Sequence, residues 1–89
     1  MPSYLVETYL ARGLPGVRAA RDQRARSAAE ELSEGTSVRF EGSIHVPEDE
    51  ICFFVFDAPS SRDAALAAER AELDPIRVVE AVSSREETQ

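Results

Sequence analysis

His45 and Cys52 are the only histidine and the only cysteine of the chain, and they flank an acidic turn, Pro47-Glu48-Asp49-Glu50. An imidazole, a thiolate and a carboxylate form a donor set suited to a borderline divalent cation such as nickel or zinc. If the loop consists of residues 47–50, Val46 pairs with Ile51, and the register sets His45 opposite Cys52, Ser43 opposite Phe54 and Glu41 opposite Phe56. His45, Cys52 and Glu41 are the candidate metal ligands. Their spacing matches no closed metal-site signature, and an isolated strand histidine beside acids is more often a surface or cavity residue. A loop one residue longer or shorter would exchange the two faces of the strand. Glu48-Asp49-Glu50 reads as a solvated turn that discourages edge pairing, because consecutive carboxylates in a tight turn point in different directions and form no calcium loop.

No catalytic residue is assigned. Cys52 sits in an apolar strand with no evident base or helix N-terminus to activate it, which is the setting of an inert packing thiol. The chain has no Gly-rich phosphate loop, CxxC, HExxH or GxSxG. Glu7 and Glu80 fall on strands expected to be neighbours. As a carboxylate pair they would line a cavity with Phe54 and Phe56, where like charges raise one pKa and create an acid/base or cation site. The competing reading is a salt bridge with Arg39 or Arg77.

Short elements must position these groups. Residues 4–9, Tyr-Leu-Val-Glu-Thr-Tyr, form a strand stopped by Gly13, Pro15 and Gly16. Residues 17–32 form a helix with Ala25, Ala28, Ala29 and Leu32 on one face. Val38, Phe40, Ile44 and Val46 alternate with Arg39, Glu41, Ser43 and His45, the period of a half-buried strand. Residues 51–56 are apolar on both faces, which implies a central strand covered on both sides. Ser60 or Ser61 caps a second helix over residues 62–72, rich in alanine with Leu66 its one large apolar residue; residues 76–82 make a last strand. Residues 1–82 thus form one domain, and residues 83–89 a flexible polar tail.

The order βαββαβ with right-handed crossovers predicts an α+β ferredoxin-like sandwich: a four-stranded antiparallel sheet, strand order fourth-first-third-second, with both helices on one face. The cleanly apolar set Val38, Phe40, Ile44, Val46, Ile51, Phe53 and Val55 is expected to meet the helices. The other face would carry Cys52, Phe54 and Phe56 among polar residues, with Leu5, Glu7 and Tyr9 on the first strand and Ile76, Val78, Glu80 and Val82 on the fourth. Water does not leave that much aromatic area uncovered, so a homodimer through the open sheet face is expected, of the dimeric α/β-barrel type with an internal cavity.

The 89 residues carry ten arginines, no lysine and seventeen acids, a net charge of -7 that argues against nucleic acid as partner. Residues 12–26 alone hold five arginines and one acid, a basic helix on an acidic body. No apolar stretch approaches the roughly 18 to 20 residues of a membrane span. A single cysteine forms no internal disulfide, which fits a reducing compartment, and a cytoplasmic protein is expected.

Tyr4-Leu5-Val6-Glu7, Val38-Arg39-Phe40, Val46-Pro47-Glu48-Asp49-Glu50-Ile51-Cys52-Phe53, Phe56-Asp57-Ala58-Pro59-Ser60 and Arg77-Val78-Val79-Glu80-Ala81-Val82 resemble the small nickel-binding ferredoxin-like family of actinobacteria. Many of its members are known only as domains of unknown function. The resemblance implies the βαββαβ fold, a homodimer and binding of nickel or another divalent transition metal, without implying an enzyme. The leading expectation is a homodimeric, non-catalytic, metal-binding protein. The alternative is a small dimeric α/β-barrel enzyme or sensor taking an apolar organic ligand in the cavity of Glu7, Phe54, Phe56 and Glu80.

Overall fold

In the computed structural model, which describes residues 1–82, the first alternating segment becomes strand β1 (Ser3–Tyr9), with Tyr4, Val6 and Thr8 turned inward. Gly13 then reverses the chain with a φ of 80°, a conformation that glycine adopts without a Cβ clash. Helix α1 (Pro15–Leu32) begins earlier than the apolar spacing indicates. Pro15 accounts for this, because its ring presets the helical φ and its missing N–H is one that the first helical turn leaves unpaired anyway. Ala25, Ala28 and Ala29 are buried and Leu32 packs on the same core, the face that the spacing predicts.

Strands β2 (Arg39–Val46) and β3 (Ile51–Asp57) are joined by one 3-10 turn, Pro47–Asp49, and by Glu50 in the left-handed region at φ 53°. Helix α2 (Ser61–Arg70) is capped by Ser60, whose Oγ accepts the Asp63 N–H at 3.2 Å, while Asp63 lies in the first turn where the helix dipole favours an acid. Strand β4 (Arg77–Ala81) completes an antiparallel sheet in the order β2-β3-β1-β4, the expected ferredoxin-like arrangement. The C-terminal tail expected over residues 83–89 lies outside the described residues. Among the described residues no helix is long and apolar enough to cross a membrane.

The face assignment is corrected. Cys52, Phe54 and Phe56 are fully buried with Tyr4, Val6 and Thr8 beneath the helices, whereas Ile51, Phe53 and Val55 are only half-buried and point the other way. Volume decides between two apolar faces of β3. The helices present Ala25, Ala28, Ala29, Ala64, Ala67 and Ala68 inward, and such small side chains leave room for two phenylalanine rings. Leu66, the large residue of α2, is 42% exposed.

A β-bulge between Phe40 and Gly42 explains why β2 fits neither expected face as a whole. Val46↔Ile51, His45↔Cys52 and Ser43↔Phe54 pair as expected, but Phe40 rather than Glu41 stands opposite Phe56. The extra residue reverses the alternation, so Val38 and Phe40 pack on the core while Ile44 lies on the open side, 54% exposed. Gly42 permits this at φ 136°, where a side chain would be strained. Phe40 then packs tilted against Phe56, ring centres 5.3 Å apart and planes at 51°, with the Arg26 guanidinium 5.4 Å from the Phe40 ring centre.

On β4 the register Val6↔Val78 and Tyr4↔Glu80 turns Val78 and Glu80 to the helix side, the reverse of the expectation, and leaves Arg77 and Val79 on the open side. Leu5 and Glu7 do lie on the open side, paired with Val55 and Phe53.

Candidate functional site

The expected cavity of Glu7, Glu80, Phe54 and Phe56 is not assembled. Phe54 and Phe56 are inside the core, Glu80 is exposed on the helix side of an edge strand, and Glu7 is on the opposite face. Glu7 instead receives the Arg77 Nε–H at 2.7 Å, the salt-bridge alternative with Arg77 as partner. Register places these two side by side across β1 and β4, so the carboxylate on the open face is neutralised by its neighbour.

The candidate metal ligands separate into two groups. His45 and Cys52 are cross-strand partners on the helix side. Glu41, carried by the bulge, sits at the far end of the hairpin against Arg39 and Asp57. Its hydrogen bond with the Asp57 carboxyl, added to by partial desolvation and the Asp57 charge, pushes the Glu41 carboxyl above its ordinary range, against a smaller opposing pull from Arg39. Ser3 Oγ–H donates to the same Asp57 at 2.6 Å. Among the described residues no group of three His, Cys, Asp or Glu side chains is close enough to hold a metal ion, so one copy by itself does not fit the nickel centre that the resemblance implies.

Around His45 the structure gathers groups that composition presents only as part of a basic helix. Arg18 of α1 reaches β2, donating from Nε to Ser43 Oγ at 3.1 Å and from Nη2 to Ser43 O at 3.0 Å. Asp22, one turn further along, has a buried Oδ1 with no hydrogen-bond partner. His45 Nε2 stands 3.4 Å from Leu10 O. Arg18, Asp22, Ala25 and Ala29 follow one helical stripe, and that spacing was the available signal that Arg18 and Asp22 face the sheet rather than water.

Cys52 lies behind this corner. Burial pushes its thiol up from the ordinary value, with Asp22 adding to the shift and Arg18, Ser43 and Arg21 opposing it. We expect alkylation of Cys52 by iodoacetamide at neutral pH to be slower in the folded protein than in urea by about 100-fold or more, since both the thiolate and access are lost. Mass spectrometry of timed aliquots measures this, and equal rates would show the thiol to be accessible.

No family model, curated protein or solved structure matches the chain. Function therefore rests on these surfaces alone. The larger of them is the open sheet face, where Leu5, Ile44, Val46, Ile51, Phe53, Val55 and Val79 form a continuous apolar band. The Glu7–Arg77 pair lies in the same row as Phe53 and Ile44, on the side of β1 and β4, and Arg39, Glu41 and Asp57 bound the band at one end.

Proposed function

We propose that the chain is a homodimeric binding module whose two copies stack their open sheet faces. The apolar band on that face carries the reading. Four strands about 4.8 Å apart, with about 3.3 Å per residue, give a whole face of roughly 400 Å², most of it apolar, which is in the range of the largest and often functional apolar patches on soluble proteins. A two-fold axis through the band sets Phe53, Val55 and Leu5 of one copy against the same residues of the other, at the roughly 10 Å separation of packed sheets. Arg39, Glu41 and Asp57 stay at the rim, and Glu7, beside Phe53 within the face, is matched by Arg77. Light scattering at micromolar concentration is expected to give twice the chain mass of 9.8 kDa, and a persistent monomer overturns the reading.

Divalent-metal carriage, nickel above all, is a second reading, favoured by one observation: His45 stands directly across the ladder from Cys52. Its remaining ligands would have to come from a second copy. On this reading calorimetric titration of the untagged protein with nickel gives saturable heat that His45→Ala removes, and equal heats from both proteins take His45 out of the site.

A further inference from the structure

On the helix side of the sheet, away from the apolar band, the start of α1 and the β2–β3 hairpin border an open cleft of about 420 Å³. That volume lies within the roughly 300 to 1,000 Å³ of small-molecule sites. Leu14, Pro15, Ala19 and Pro47 supply apolar walls, and Arg18, Asp22 and His45 supply the polar groups.

The charges in it are not spent on each other. Three ion pairs occur among the described residues and none joins Arg18 to Asp22. Arg18 is held by Nε and Nη2 on Ser43, which fixes the guanidinium plane and leaves Nη1 outside those bonds. The positive end of α1 opens on the same corner, because Leu14, its N-cap, provides no side-chain acceptor and the first turn contains no acid. Asp22 contributes the opposite charge: its half-buried side chain lines the cleft, and no donor in the chain satisfies its buried Oδ1. His45 engages Leu10 O through Nε2, so its other ring nitrogen is left over.

A simple anion matched to Arg18 and the helix end is repelled by Asp22, and a simple cation matched to Asp22 is repelled by Arg18. One molecule bearing both charges meets both. We infer that this corner binds a small zwitterion of the free amino acid class, its carboxylate on Arg18 and the start of α1, its ammonium on Asp22 and its aliphatic side chain against Leu14, Pro15 and Pro47.

The test is a titration of the ¹⁵N-labelled full chain, followed by amide shifts, with L-leucine and with two analogues that each lack one charge, isocaproate and isoamylamine. L-Leucine is expected to shift the amides of Gly13, Arg18, Ala19 and His45 saturably, with each analogue weaker by about tenfold or more, a difference of about 1.4 kcal/mol. Asp22→Asn is expected to weaken L-leucine by a similar factor and to leave isocaproate no weaker. Arg18→Gln, expected to bring L-leucine down to isoamylamine, gives an independent reading should Asp22→Asn fail to fold. Absence of saturable shifts with L-leucine, or isocaproate or isoamylamine binding as tightly as L-leucine to the wild-type chain, overturns the inference.

Discussion

Phe54→Ala is expected to lower the stability of the chain by about 3 to 5 kcal/mol, whereas Phe53→Ala, one residue away, costs far less within a single copy. The two rings belong to the same strand and differ only in which face they occupy. Phe54 is fully buried between the sheet and the alanines of α1 and α2, so truncation leaves a cavity that the helices cannot fill with small side chains of their own. A domain of this size has about 5 to 10 kcal/mol in total, so Phe54→Ala removes much of it. Urea unfolding followed by circular dichroism measures both variants, and dilution separates their causes. The loss in Phe54→Ala is independent of protein concentration, because the core belongs to one chain. The smaller loss in Phe53→Ala grows with concentration if Phe53 lies in a dimer interface. Midpoints lowered equally by the two substitutions at all concentrations would contradict the face assignment.

That assignment is where the sequence ceased to be decisive. The element order, the strand order and the buried stripe of α1 are legible because they rest on periodicity and on punctuation by Gly13, Pro15, Ser60 and Pro75. The loop length fixes Val46 against Ile51 and His45 against Cys52, and those pairs form. A strand apolar on both sides carries no alternation to say which side faces in, and β3 is such a strand. The polarity of β2 is the only alternation left to follow, and the bulge at Glu41 defeats it by turning Phe40 inward and Ile44 outward within one strand. Gly42 marked the place, since a glycine inside a strand pattern is the usual sign of a bulge. The volume of the facing residues was the better guide: alanine-rich helices call for large side chains beneath them.

The candidate sites followed the same division. His45 beside Cys52 follows from register, whereas the sequence does not choose between Arg77 and Arg39 as partner of Glu7, because that choice depends on the pairing of β4, a short edge strand whose register no turn fixes. Arg18 and Asp22 were hidden by composition. In a helix with five arginines within and just before it, charge reads as solvation, and only their alignment with Ala25 and Ala29 separates them from Arg24 and Arg26.

If the chain is the proposed dimer, Phe53→Asp is expected to leave a folded monomer. Phe53 lies on the second-from-edge strand between Ile44 of β2 and Glu7 of β1, within the apolar band, and the two-fold axis of a symmetric dimer repeats whatever is placed there. In one copy the new carboxylate faces water and costs little. In a dimer two carboxylates would be buried against apolar neighbours, with each beside a Glu7 whose charge is already matched by Arg77. An unpaired buried charge costs several kcal/mol, and about 4 kcal/mol weakens association roughly a thousand-fold, enough to abolish a micromolar dimer. Light scattering should therefore fall from twice the chain mass to 9.8 kDa while far-ultraviolet circular dichroism keeps its α+β form. Leu66→Asp supplies the control, because Leu66 is an exposed leucine on the outer side of α2 and its replacement leaves the sheet face untouched. If Phe53→Asp keeps the doubled mass while Leu66→Asp loses it, the copies meet through the helices and the open sheet face must have some other occupant.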